Sequence, residues 1–449
     1  MSSKRQASLR PGALRQAASQ PAAKRAAGSP SESDGFDQIL ARRAAEAGII
    51  AELPPGGECR SAEGRRCTLC YGSALEYTDE VRLKNAALGE YWQGQNLPGA
   101  LQAIVPSPRG RGYRTVSKRK VFLSAREVRL ALLSPGPEGR AAPLAVRACA
   151  IEPREHASIY QAVHDSLQRP FAASLAESLQ YVIVKGNYRE FTVVLNVRSL
   201  EGPLLKSATA LSKALTKRCP SVVGFFLFED DSGGEYYMGS DRGRQPVIRR
   251  VFGKESIYQQ VAGRHFLFSP LSFSQVNLSL AGHLVAGAGE LLGAEPARIL
   301  MDLYCGYGVF AVCLADKGGR VAGVELSPAS VQAAEENAVR NQVKNVRFFR
   351  DDINGETVSR FIRQTGPEDA ALLDPPRNGA GPGVIEAIAA RGMKRIVHLF
   401  CNIDILGREL GRWHDGGYVA GRIIPFDMFP GTGAVELMVE LTPSAVRKR

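Results

Sequence analysis

The run "RILMDLYCGYGVF", residues 298–310, passes from an apolar strand through a glycine turn towards a helix. Gly306 and Gly308 allow a tight turn and close backbone approach to a ligand before a helix begins near Val309. Six further strand candidates follow: "RVAGVEL", "VRFFRDD", "AALLDPP", "RIVHLFC", "YVAGRIIPFD" and "AVELMVEL". Helix-like runs separate the first five strands. One begins at Ser327-Pro328, an N-cap followed by proline at the first helical position. The alternation predicts an α/β, Rossmann-like unit with a mainly parallel sheet. The last two strands leave no room for a helix between them, so they should form an antiparallel hairpin.

In such a sheet the carboxyl ends of the strands carry the ligands. The second strand ends at Glu325, where an acid would take the hydroxyls of an adenosine ribose. The third ends at Asp351-Asp352, and Asp352 suits the adenine edge. Two glycines are too few for a dinucleotide fingerprint, which favours S-adenosylmethionine over NAD. Asp374-Pro375-Pro376-Arg377 closes the fourth strand, and its prolines stiffen the exit and fix the carboxylate at the sheet edge. Motifs of this kind in enzymes that methylate exocyclic amines usually end in an aromatic. Arg377 stands there instead and points away from amines. Cys401 ends the fifth strand, and Glu436 begins the last, antiparallel strand at the same edge. A lone cysteine or surface carboxylate signifies little. Together beside a donor site, they are the minimum set for methylating carbon 5 of uracil. A thiolate adds to carbon 6 to make carbon 5 nucleophilic, and a base then removes the carbon 5 proton. The target base must leave its stack to reach them.

The first half differs in character. Residues 1–30 hold six Lys/Arg and no acid, as in a disordered basic tail. "FDQILARRAAEAGII" reads as a short helix before the break at Pro54-Pro55-Gly56-Gly57. Pro106 to Leu130 carries eight Lys/Arg against one Glu, and its later part alternates like a strand that would line its cations along one side. "LQYVIVKG", "EFTVVLNV", "SVVGFFLFED" and "RHFLFSP" read as strands, with a helix at "PLLKSATALSKALTKRC". The expected division is a tail over 1–45, an α+β RNA-binding unit over 46–268 and the Rossmann-like unit over 269–449. Net charge of +12 suggests a polyanion, nucleic acid first. No apolar run approaches a membrane span, so a soluble, cytoplasmic monomer is expected. Eight cysteines without a leader peptide favour metal binding or catalysis over disulfides.

"DLYCGYGVF", "LLDPPRNG", "LFCN" and "FPGTGAVE", with "SFSQVN" upstream, resemble the RNA 5-methyluridine methyltransferase family, from about residue 179 onward. The resemblance implies a class I methyltransferase domain, Cys401 as nucleophile and Glu436 as base. It places Gln275, Tyr304, Gly306, Glu325, Asp352 and Asp374 around donor or base. Cys59, Cys67, Cys70 and Cys149 resemble that family's 4Fe-4S ligands, although the first spacing is long and four thiolates also suit zinc. The iron–sulfur cysteines imply ribosomal RNA as substrate; tRNA, or a catalytically silent RNA-binding role, are the alternatives. Two departures stand out: Ala434 replaces the family's histidine before the glutamate, and Ile403 replaces the proline after Asn402.

Overall fold

The computed structural model describes residues 34–48, 70, 75–124, 127–135, 141–200, 202–230 and 247–445. Residues 1–33 of the basic tail, together with Cys59 and Cys67, lie outside the described residues. The chain opens with helices α1 (Phe36–Glu46) and α2 (Tyr77–Gly94), then a short strand β1 (Ala100–Leu101). Strands β2 (Val116–Leu123), β3 (Val128–Pro135) and β4 (Ala141–Leu144) follow, then helices α3 (Arg154–Leu167) and α4 (Ala173–Ser178). Next come β5 (Leu179–Gly186), β6 (Phe191–Val197), α5 (Leu204–Arg218), β7 (Val222–Glu229) and β8 (Val247–Gly253).

Strands β2 to β8 form one sheet in the order β4-β3-β2-β5-β6-β7-β8. Only β6–β7 pair in parallel, because the α5 crossover turns the chain back. Helices α3 and α5 bury one face of this sheet against Val182, Val184, Val193 and Leu195. The cations of the basic segment do not share one side. Lys118 and Lys120 reach the ring of Tyr181 on the opposite face. Arg119, one residue out of phase, is buried and bidentate to Glu152 at 2.9 and 2.8 Å.

A hairpin of β9 (Ile257–Val261) and β10 (Arg264–Phe268) leads into the second sheet. That sheet contains β11 (Ala297–Leu303), β12 (Gly318–Glu325), β13 (Val346–Arg350), β14 (Ala370–Leu373), β15 (Arg395–Phe400), β16 (Tyr418–Phe426) and β17 (Glu436–Pro443). Its order is β1-β16-β17-β15-β14-β11-β12-β13. β13 to β15 run parallel, and the β16–β17 hairpin closes the other side antiparallel, as the chain spacing requires. Helices α6 (Ala281–Leu291), α7 (Val309–Cys313) and α8 (Pro328–Arg340) cover one face. Helices α9 (Gly355–Phe361), α10 (Val384–Ala389) and α11 (Leu406–Asp415) cover the other, with α1 and α2 beside them. Ser327 caps α8 by accepting from Ser330 N at 3.3 Å.

The packing joins the first helices to the second sheet. Phe36, Ile39 and Leu40 of α1 and Leu88 and Trp92 of α2 share a core with Leu303, Trp413 and Leu437. β1 pairs with β16 in the register Ala100↔Arg422. Helices α1 and α2 and strand β1 thus pack as part of the second sheet's layer, and the seven-stranded unit is an insertion between β1 and the β9–β10 hairpin.

Candidate active site

The order β13-β12-β11-β14-β15 reverses direction between β11 and β14, which opens a crevice at their carboxyl ends. Tyr304 and Asp374 leave the two strands there, tied by Asp374 N donating to Leu303 O at 3.3 Å. Tyr304, Gly306 and Gly308 all hold positive φ (65°, 53° and 85°). For Tyr304 this is a strained turn. Gly306 has open space where a Cβ would project, whereas a Cβ at Gly308 would press on Ala334 and Phe348 at 3.0 Å. One glycine thus clears the groove and the other lets α8 pack beneath the loop.

A groove at the crevice is lined by Phe273, Gln275, Tyr304, Gly306, Tyr307, Phe310 and Asp374. It unites four residues singled out in the sequence: Gln275, Tyr304, Gly306 and Asp374. Glu325 stands just behind, accepting from Gly306 N at 3.1 Å and Ser327 N at 2.8 Å. Asp352 is exposed at the end of β13, accepts from Asn354 at 3.1 Å and is outside the groove lining. Sequence reasoning passed over Asp302. It is buried, accepts from Ala311 N at 2.9 Å through one oxygen, and has no hydrogen-bond partner on the other. Burial, with Asp374 and Glu325 nearby, pushes its carboxyl up to about 8. Aromatic walls with three carboxyls around them suit a ligand with an apolar body and cationic groups, as S-adenosylmethionine has.

Cys401 and Asn402 follow β15 directly. Cys401 Sγ lies 3.9 Å from Pro375 O, and Asn402 Nδ2 donates to Arg377 O at 3.3 Å, so the two strand exits are joined. Glu436 begins β17 opposite Phe426 and is buried, 7% exposed. Burial is the main reason that its carboxyl sits up at about 8; Asp374 adds to this and Arg377 opposes it. Asp374 is pushed up to about 7 by burial. The Cys401 thiol is pushed up to about 12 by burial, then by Glu436 and Asp374. The Cys401 thiol and the Glu436 and Asp374 carboxyls are therefore near enough to sense one another, and Arg377 faces them as the neighbouring cation. A bound sulfonium would favour the ionised form of all three acids.

Behind the site, Glu409 of α11 is fully buried. It accepts from Ala380 N at 3.0 Å and lies 3.5 Å from His398 Nε2. His398 accepts from Trp413 Nε1 at 3.1 Å, and burial pushes its imidazole down to about 3. Neutral His398 and Glu409 hold the loop after Asp374 against β15. The signal was present in the sequence: Leu406, Glu409, Leu410 and Trp413 put a carboxylate on an apolar helix stripe.

Of the four cysteines read as cluster ligands, Cys70 and Cys149 meet in one small core with Tyr113 and Ile151. Among the described residues no group of three or more His, Cys, Asp or Glu could hold a metal ion. No helix among them is long and apolar enough to cross a membrane.

Residues 238–443 match the family described as tRNA (Uracil-5-)-methyltransferase. The 23S rRNA (uracil(1939)-C(5))-methyltransferase RlmD of Pectobacterium carotovorum is 30% identical over 87% of this chain and 81% of its own length. The chain belongs to the RNA (uracil-5-)-methyltransferase family. An uncharacterized RNA methyltransferase of Oceanobacillus iheyensis is 30% identical over 59% of this chain, and that match spans only 56% of the relative's length. The fold is also that of the tRNA (uracil-54, C5)-methyltransferase of Pyrococcus abyssi, solved with S-adenosyl-L-homocysteine, at a TM-score of 0.63 and 20% identity over 86% of each chain. As an RNA (uracil-5-)-methyltransferase family member, the chain has its glycine loop, Asp374, Cys401 and Glu436 all within the matched stretch.

Proposed function

We propose that the protein methylates carbon 5 of a uridine in ribosomal RNA, with Cys401 as nucleophile and Glu436 as base. The observation that carries this is the convergence of thiol, buried carboxyl and donor groove at one sheet edge. S-adenosylmethionine in the groove supplies an electrophilic methyl. Cys401 gives its proton to solvent, its sulfur bonds to carbon 6, and the carbon 5–carbon 6 π pair moves onto carbon 5 and the carbon 4 oxygen. Carbon 5 takes the methyl as the sulfonium–methyl bond breaks. Glu436 then removes the carbon 5 proton, the carbon 5–carbon 6 double bond re-forms, and the Cys401 thiolate leaves. Gln275, Tyr304, Gly306 and Glu325 hold the donor, with Asp374 beside the reacting groups and Asp352 reaching the adenine edge.

The reading includes a 4Fe-4S cluster held by Cys59, Cys67, Cys70 and Cys149. Its support is the meeting of Cys70 and Cys149 from distant parts of the chain. Such a cluster would staple the RNA-binding unit to the methyltransferase layer. Anaerobically purified protein should be brown and hold iron and sulfide; colourless, zinc-loaded protein would replace the cluster with a zinc site.

The central test incubates the protein with labelled S-adenosylmethionine and unmodified ribosomal RNA or tRNA. 5-Methyluridine is expected in ribosomal RNA; its absence from both sinks the reading. Cys401→Ala should abolish methylation and keep RNA binding, and retained turnover would remove the nucleophile.

A further inference from the structure

A buried ionic cluster lies apart from the groove, and three of its four charged members precede the family-matched stretch. Lys84 Nζ is 2.9 Å from Glu80 Oε1 and 2.7 Å from Asp427 Oδ1; all three side chains are fully buried. Arg111 pairs with Glu80 Oε2 at 2.8 Å. Tyr77 donates to Asp427 Oδ2 at 3.0 Å and accepts from Ser107 N at 2.6 Å. Two cations thus face two carboxylates. Burying such a group is costly, and apolar side chains of similar volume usually stabilise a fold at least as well, so stability alone does not account for it.

What the cluster holds is the loop between β16 and β17. Asp427 is the first loop residue, next to Phe426, the register partner of Glu436. Lys84 Nζ donates to Phe429 O at 3.3 Å, and Gly431 N donates to Glu80 Oε1. Asp427 N donates to Val105 O at 3.1 Å, so the segment after β1 also grips the loop. Gly433 passes close to α1: a Cβ there would stand 2.7 Å from Asp37 Oδ1. Residues 427, 429 and 431 are therefore bonded to the N-terminal segment, and Gly433 lies close against it, immediately before Ala434-Val435-Glu436.

We infer that Glu80 and Lys84 of helix α2 are positioning residues for Glu436, acting through Asp427, Phe429 and Gly431. The inference rests on the reading of Glu436 as the base. It assigns to the N-terminal segment a part in the elimination step, rather than in donor binding or nucleophilic addition. A carboxylate displaced by about 1 Å can slow its step about 100-fold. The neighbouring addition of Cys401 would be left intact.

The test follows partition between the two halves of the reaction in the full-length protein. Lys84→Met, ribosomal RNA and S-adenosylmethionine should give turnover lowered about 10- to 100-fold. The KM for S-adenosylmethionine should be unchanged, and a covalent RNA–protein adduct should accumulate as a slow band on denaturing gels. A merely structural role would lower activity with thermal stability but would not build up the adduct. Should Lys84→Met fail to fold, K84M/D427N removes one charge of each sign and keeps Glu80 with Arg111; it should show the same accumulation. Wild-type turnover in the folded variant, or loss of activity without adduct, overturns the inference. Glu436→Gln is run in parallel: if it traps no adduct while wild type methylates, the base assignment itself fails, and the positioning role with it.

Discussion

Glu436 carries two consequences of a single fact, that its carboxyl is held at about 8 by burial rather than at its ordinary 4.5. The folded state binds the proton more tightly than the unfolded state. Its stabilising share is therefore complete below about pH 4.5 and is lost as pH rises through about 8. Glu436→Gln, which never titrates, should match the wild type in stability at pH 4. At pH 9 it should exceed the wild type by an amount on the order of a few kcal/mol. Urea unfolding at the two pH values checks this, and an equal difference at both would contradict it. With Glu436 acting as the proposed base, the same raised value leaves it mostly protonated at pH 7 in the free protein, so kcat/KM should climb towards pH 8. Cys401 and Glu436 stand out in the sequence as strand ends, and the structure brings them to one sheet edge, close enough for the Glu436 carboxyl to bear on the Cys401 thiol. Asp302 does not stand out, although it lies inside the most informative run. Strand alternation marks it only as inward-facing, and its partner, Ala311 N, arrives from the following helix.

Helices and strands were read well where one apolar period dominates. "LQYVIVKG" became β5 over Leu179–Gly186, and the capped helix after Ser327 became α8 over Pro328–Arg340. Helices α2 and α11 went unread because in them charge and apolar period conflict. Glu80 and Lys84 lie on the same buried stripe of α2 as Ala87, Leu88, Tyr91 and Trp92. Glu409 lies on the buried stripe of α11. In both, a charge at a core position marks a contact beyond the helix. For Glu409 that contact is Ala380 N, the second residue of the tight turn after Asn378, where Gly379 at φ 91° leaves room for the carboxylate. Glu409→Met should leave that amide without an acceptor and cost about 1–3 kcal/mol, whereas Glu409→Gln keeps an acceptor and should cost under about 1 kcal/mol. Chemical denaturation distinguishes the two; equal losses would mean that the carboxylate's charge, not its hydrogen bond, holds the loop.

Long-range assembly was the least legible level, because nothing local announces that β1 pairs with β16 some three hundred residues later. The same holds for the strap over residues 269–277, which joins the inserted sheet to the donor groove. Lys185 of β5 donates to Ser272 O, lies 3.5 Å from Ser269 O, and sits 5.1 Å from the Phe268 ring. Thr115 N adds a bond to Val276 O at 2.8 Å. Between these anchors lie Phe273 and Gln275, both in the groove lining. Burial pulls the Lys185 ammonium down from 10.5 to about 7. Here the folded state binds fewer protons than the unfolded state, so the contribution to stability is present above about pH 10.5 and is lost as pH falls through about 7. Lys185→Met removes this titration. Its stability relative to the wild type should be most favourable at pH 6 and should decline steadily to pH 10, as read from urea midpoints at both ends; parallel curves would show that the lysine does not titrate in that window. At pH 8 the loss of the bond to Ser272 should loosen the strap and weaken S-adenosylmethionine binding by about 0.5–1.5 kcal/mol. Calorimetry should then show a weaker Kd for the donor while Cys401 still forms its adduct. An unchanged Kd would mean that Thr115 alone holds the strap, and that the inserted sheet reaches the donor groove through one anchor rather than two.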